Sequence, residues 1–115
     1  LEIIDEENIQ QRARELGGYL RTKLEELQEK HPLIGEVRGM GLLQAIELVT
    51  DRQTRQPATT EAKRFVELAK HRGLLVGKSG AHWNIIRFAP PMCVTKPDID
   101  FLADTIDHCL AGATD

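Results

Sequence analysis

The chain reads as an α+β fold, a small and mainly antiparallel sheet with helices on one face. Three observations predict it. Long stretches near each end, and a shorter one in the middle, repeat apolar residues every three or four positions. Short apolar runs lie between them and are bounded by glycine and proline. The order that results is helix, strands, helix, strand, loop, strand, helix, with no internal repeat and no low-complexity tract.

From Asp5 to about Lys30 the pattern is helical. Ile9, Ala13, Leu16, Leu20, Leu24 and Leu27 make one apolar stripe, and Glu, Arg, Gln and Lys fill the opposite face. Gly17 and Gly18 interrupt this helix at about 1 kcal/mol each relative to alanine. They are either slack or the place where another element passes closely. Pro32 ends the helix, because it cannot continue the hydrogen-bond ladder and restricts His31. In Glu36–Val49, the residues Ile46, Leu48 and Val49 suit a strand, and Gly39 and Gly41 suggest a bulge or a close backbone approach. Thr50–Thr60 is a polar loop rich in turn-forming residues. Thr59 or Thr60 then caps a helix whose stripe is Ala62, Phe65, Val66 and Ala69, and Gly73 stands at its C-cap. Leu74–Val76 reads as a short buried strand, Gly77–Trp83 as a loop, and Asn84–Phe88 as a second strand stopped by Pro90 and Pro91. Thr95 is placed as the N-cap of a final helix with Pro97 in its first turn and Ile99, Leu102, Ala103, Ile106 and Leu110 inward.

The 115 residues suffice for a single domain, residues 1–115, and 41% hydrophobic content supplies its core. The net charge of −3 and the interleaving of Arg12, Arg14, Arg21 and Lys23 with acids argue against a nucleic-acid partner. No apolar run approaches the ~20 residues of a membrane span, and no signal peptide is visible in the acidic start. Cys93 and Cys109 lack zinc or CxxC spacing and fit a reducing compartment, which points to the cytoplasm; Cys93 reads as an inert buried thiol. The start without Met would suit a processed or excised piece of something longer.

Few residues invite chemistry. Gly77-Lys78-Ser79 resembles the end of a phosphate loop, but that motif needs glycine five positions before Gly77, where Arg72 stands, and a helix afterwards. His31, His71, His82 and His108 have no metal-ligand spacing, and no nucleophile elbow or catalytic triad order is present. This leaves no catalytic residue and no metal ligand. The loop with Lys78, Ser79, His82 and Trp83 is a candidate site lining, since glycine-flanked loops often line sites. Arg87 is the sharper candidate. Buried on a strand, an arginine is costly unless something anionic meets it. Alternation puts Ile85 and Arg87 on one face and Ile86 and Phe88 on the other. Arg87 then awaits a carboxylate, faces water on an edge strand, or pairs with an internal acid such as Glu47.

Three stretches, HPLIGEVRGMGLLQAIELV, RGLLVGKSG and NIIRFAPPMCVTKPDID, occur here in that order. Together they resemble the C-terminal small domain of class III pyridoxal-phosphate-dependent aminotransferases, the ornithine, 4-aminobutyrate and alanine–glyoxylate type, nearest the last. The resemblance covers nearly the whole chain. It implies a fold type I parent enzyme, active as a homodimer, that transfers an amino group from an amino acid to a 2-oxo acid. Arg87 matches the family arginine that grips a substrate carboxylate. Pyridoxal phosphate and its Schiff-base lysine belong to a large domain that these residues do not include, and no lysine here matches the Schiff-base position. No cofactor is therefore expected on this chain, nor transamination by it alone. A former interface, with LEII and FAPPM as its candidates, should then be exposed. The rival reading is a stand-alone α+β module that binds a ligand or a partner protein on the same sheet.

Overall fold

The structure, a computed structural model, describes residues 6–74, 76–90 and 94–114. The expected start at Asp5, the LEII segment, Leu75, Pro91 and Cys93 lie outside the described residues. The chain forms α1 (Glu6–Lys30), β1 (Ile34–Met40), β2 (Leu43–Asp51), β3 (Gln56–Pro57), α2 (Thr59–His71), β4 (Gly77–Ser79), β5 (Ile85–Phe88) and α3 (Lys96–Ala113). The strands make an antiparallel five-stranded sheet in the order β1-β2-β5-β4, with β3 added alongside β2. The expected α+β class, with helices on one face of an antiparallel sheet, is what forms.

Alternation explains the core. Val37, Ile46, Leu48, Ile86 and Phe88 turn to one side and are buried against Leu16, Leu20, Leu24, Phe65, Ile99, Ile106 and Leu110 of the helices. Each such large side chain contributes about 1.5–3 kcal/mol by leaving water. Phe65 of α2 meets Phe88 of β5 edge to face, with ring centroids 6.3 Å apart. Ile34 and Val37 both reach the core although they are three residues apart. A bulge allows this: Ile34 pairs with Leu48 and Glu36 with Glu47, so Gly35 is the extra residue.

The expected close approach is found at one of the two adjacent helical glycines. A Cβ on Gly17 would lie 2.0 Å from the carbonyl oxygen of Gly41, whereas one on Gly18 would meet nothing within 4 Å. Gly41 also supplies the turn that divides Glu36–Val49 into two strands, at φ +56, with Met40 pairing Leu43 across it.

Five expectations need correction. The expected Thr50–Thr60 loop is in part strand, since β2 runs to Asp51 and Gln56–Pro57 pair with it as β3. Ile9 is exposed, since among the described residues the buried stripe of α1 starts only at Leu16. Thr59 and Thr60 do not cap α2. The helix already includes Thr59, Ala58 is its N-cap without a side-chain bond, and the Thr59 hydroxyl donates to the His82 carbonyl at 2.7 Å instead. Leu74 and Val76 are not strand. The sheet edge is taken by Gly77–Ser79, which pair with Arg87, Ile86 and Ile85. Phe88 is buried, so of FAPPM it is not a surface residue. Other punctuation is as expected. Gly73 at φ +79 and Leu74 donate back to Lys70 and Ala69 at 3.0 and 2.8 Å, closing α2 in a Schellman motif. Thr95 precedes α3, and the Asp98 carboxylate accepts from both its amide and its hydroxyl at 2.9 Å.

Candidate functional site

The face of the sheet away from the helices carries the polar and small residues. By register, Glu36, Arg38 and Met40 of β1 lie beside Leu43, Ala45 and Glu47 of β2; next come Ile85 and Arg87 of β5, then Gly77 and Ser79 of β4. Arg87 sits between Ala45 and Gly77, two of the smallest side chains available. Its guanidinium lies along Gly77, where an added Cβ would be 3.5 Å from Nε. Arg87 is exposed, and among the described residues it makes no ion pair and no side-chain hydrogen bond. The expected facing of Ile85 and Arg87 against Ile86 and Phe88 holds. The internal pairing with Glu47 does not form.

Glu47 is held elsewhere. Arg38 reaches one of its carboxylate oxygens at 2.7 Å and Arg55 the other at 2.9 Å. The same two arginines reach Glu36 at 3.3 and 2.7 Å. The hydrogen bond from Arg55 is the main reason that the Glu36 carboxyl is held below the ordinary glutamate range. This ring of two acids and two bases is locally neutral. Arg87 is not part of it.

The loop into β5 is fixed from both sides. Asn84 is buried, its side-chain amide donates to the Leu48 carbonyl at 2.9 Å, and its own carbonyl accepts from the Leu48 amide at 2.8 Å. The Thr59–His82 bond ties the loop to the start of α2. Trp83 adopts φ +53 and is 58% exposed. Of the four loop candidates, His82 and Trp83 are exposed and Ser79 shares the face of Arg87. Lys78 pairs with Ile86 and so alternates to the helix side, away from Arg87.

The cavities lie elsewhere. One of about 280 Å³ lies between the end of α2, the exit of β5 and α3, lined by Leu74, Phe88, Pro90, Val94, Phe101 and others. Neither Arg87 nor His82 nor Trp83 lines it. No group of three or more metal-ligating side chains occurs among the described residues. No described helix is long and apolar enough to cross a membrane. Sequence reasoning missed the arginine–glutamate ring and Arg52, whose guanidinium donates to the carbonyls of Gln28 and His31 at the end of α1 and of Ile34 at the start of β1. The ring had one usable signal: pairing the two halves of Glu36–Val49 as a hairpin sets Glu36 against Glu47, a repulsion that demands bases nearby.

The model of the family "Aminotransferase class-III" matches residues 1–110. The chain is 43% identical over 111 residues to the mitochondrial alanine–glyoxylate aminotransferase 2 homolog 2 of Arabidopsis thaliana, covering 96% of this chain and 23% of that protein. It is 39% identical to the mitochondrial alanine–glyoxylate aminotransferase 2 of Homo sapiens, covering 96% and 22%. Among solved structures, a Bacillus anthracis aminotransferase superposes with a TM-score of 0.84 at 33% identity over 92% of this chain and 25% of that one. The omega transaminase of Pseudomonas jessenii in complex with PMP gives 0.82 at 29% identity over 95% and 24%. The chain thus spans about a quarter of the length of the proteins it matches. By family model and by relatives alike, the chain belongs to the class III aminotransferases.

Proposed function

We propose that this chain is the substrate-recognition small domain of a pyridoxal-phosphate-dependent class III aminotransferase, which moves an amino group from an amino acid to a 2-oxo acid. One observation carries the reading. Arg87 presents a partnerless guanidinium on the helix-free face, with Ala45 and Gly77 leaving room on either side. A guanidinium suits a carboxylate because its planar fork makes two parallel hydrogen bonds. Amino acid and oxo acid both bear that carboxylate, so one arginine serves both half-reactions by orienting each substrate. The buried Asn84 and the β2 and β4 ladders on either side fix the strand from which it projects.

These residues do not fit the cofactor itself. Lys23 lines a cavity with Glu26, Asp100, Asp104 and Asp107, four acids that would repel a phosphate. The cavities beside Arg72 and His31 contain no lysine. We therefore assign the cofactor and its lysine to a large domain outside this chain, and transamination to that whole enzyme as a homodimer. Met40 and Leu43, 85% and 55% exposed beside the Glu36–Glu47 ring, are apolar surface of the kind a further domain covers. The compartment proposed is the cytoplasm, on the free buried thiol of Cys109; names among the relatives include mitochondrial forms.

Arg87→Lys in the enzyme carrying this chain tests the role. KM for the amino acid and for the oxo acid should rise together, with a loss of about 2–4 kcal/mol in kcat/KM. Cofactor absorbance should be unchanged. Unaltered kinetics with a lowered Tm would instead make Arg87 a structural residue.

A further inference from the structure

The open face carries a charged device that carboxylate binding at Arg87 does not itself use. Glu36 and Glu47 are direct cross-strand partners, and like charges so placed repel. Arg38 and Arg55 offset this, and between them they occupy both carboxylate oxygens of Glu47, whose side chain is only 16% exposed. Arg55 does so from a backbone φ of +58, a left-handed conformation unfavourable for a residue with a Cβ. The arginine ends of these pairs stay about half exposed, at 46% and 54%, so the pairs add only modestly to stability.

The register supplies a reason. Glu47 pairs with Ile85 and Ala45 with Arg87, so Glu47 and Arg87 stand on one face of adjacent strands, a single diagonal step apart. A diagonal step separates such residues by roughly 7–8 Å, within reach of two long side chains. An unrestrained Glu47 would therefore find Arg87, and an internal carboxylate would compete with that of the substrate. We propose that Arg38 and Arg55 are positioning residues, which hold the Glu47 carboxylate toward β1 and keep Arg87 open to an incoming carboxylate. The inference rests on the assignment of Arg87 above. Capture of Arg87 by Glu47 lowers the fraction of competent sites, and apparent affinity falls by that fraction.

The test is the double substitution Arg38→Gln with Arg55→Gln in the enzyme carrying this chain. KM for an amino acid should rise about tenfold, as capture in nine molecules of ten requires. KM for the corresponding amine without its carboxylate should not change, nor should kcat for either. Adding Glu47→Gln should restore KM. Adding Glu36→Gln, the same charge change one strand farther from Arg87, should not. If the double variant folds poorly, Arg55→Gly, which also relieves the backbone, should give a smaller rise of the same selectivity, again reversed by Glu47→Gln. Equal rescue by Glu36→Gln would reduce the effect to a general field and overturn the positioning role. An unchanged KM in a folded variant would do the same, and if Arg87→Met still raised KM, the assignment of Arg87 would survive alone. If Arg87→Met were silent too, both would fall.

Discussion

The two faces of this sheet are built from the same strands, yet they handle polar groups in opposite ways. On the helix side, β1, β2 and β5 contribute Ile34, Val37, Ile46, Leu48, Ile86 and Phe88, all buried. Gln44 is the polar exception, and its amide donates to the Gly41 carbonyl at 2.6 Å. On the open side the same strands contribute acids, bases and Ala45, with Met40, Leu43 and Ile85 only partly buried or exposed. There the charges divide into a closed neutral ring and Arg87, which is unpaired among the described residues. The contrast shows where each kind of residue acts. The helix side supplies the free energy of folding. The open side, with little to lose in burial, can keep one cation unmatched.

The largest expected effect breaks this comparison within two adjacent residues of β5. Ile86 is fully buried and Ile85 only partly, on the open side. Ile86→Ala should cost about 2–5 kcal/mol, the range for emptying a packed core site. Ile85→Ala should cost under about 1 kcal/mol by the same reasoning, since water already reaches it. Urea unfolding of both variants measures the difference. Equal losses would mean that the open face is as well packed as the core.

The alternation that separates these faces is legible in the sequence. So are the end of α1 at Lys30, the Gly73 stop of α2 and the Thr95 start of α3, because periodicity and capping are local signals. Arg87 was legible as a cation set among apolar neighbours. What stayed hidden depends on register and on long-range pairing. Gly77–Ser79 carry no apolar signal, and they become strand only because β5 offers them an edge. Thr59 has the composition of a cap, but the His82 carbonyl claims its hydroxyl from 23 residues away. The Glu36–Arg38–Glu47–Arg55 ring exists only once the turn at Gly41 sets Glu36 opposite Glu47 and Arg55 reaches back from the loop after β2.

Gly17 and Gly18 sharpen the comparison from the helix side. In sequence they are indistinguishable, and both weaken a helix. Gly17→Ala puts a methyl into the Gly41 carbonyl, a backbone group that cannot step aside without moving the β1–β2 turn. The expected cost is about 1–3 kcal/mol, as for overpacking. Gly18→Ala meets open space, and should stabilise by about 0.4–1 kcal/mol through a less flexible unfolded chain. Opposite shifts in Tm should result. Shifts of the same sign would place the close approach elsewhere.

The smallest effect concerns acid. Asp107 joins α3 to the end of α1 through Lys30, at 2.8 Å, and His31, and its carboxyl is held low chiefly by the Lys30 hydrogen bond. Glu36 on the open face is held low chiefly by that of Arg55. A carboxyl whose folded value lies below its ordinary one binds fewer protons folded than unfolded across that interval. Its contribution is therefore complete above about pH 5 and drains away as pH falls through 4 and below. Neither should be large. Asp107 is 29% exposed at its side chain and should give about 0.5–1 kcal/mol. Glu36 is 42% exposed and also faces Glu47, so losing its charge relieves a repulsion while it breaks two pairs; its net contribution should be under about 0.5 kcal/mol. Unfolding free energies at pH 7 and pH 3 should therefore differ less in Asp107→Asn than in the unaltered chain, and hardly less in Glu36→Gln. Salt at 1 M, where the screening length is about 3 Å, should erase the Glu36 difference before that of Asp107. A larger acid effect from Glu36 would mean that the open-face ring bears on folding itself, and the division of labour between the two faces would have to be redrawn.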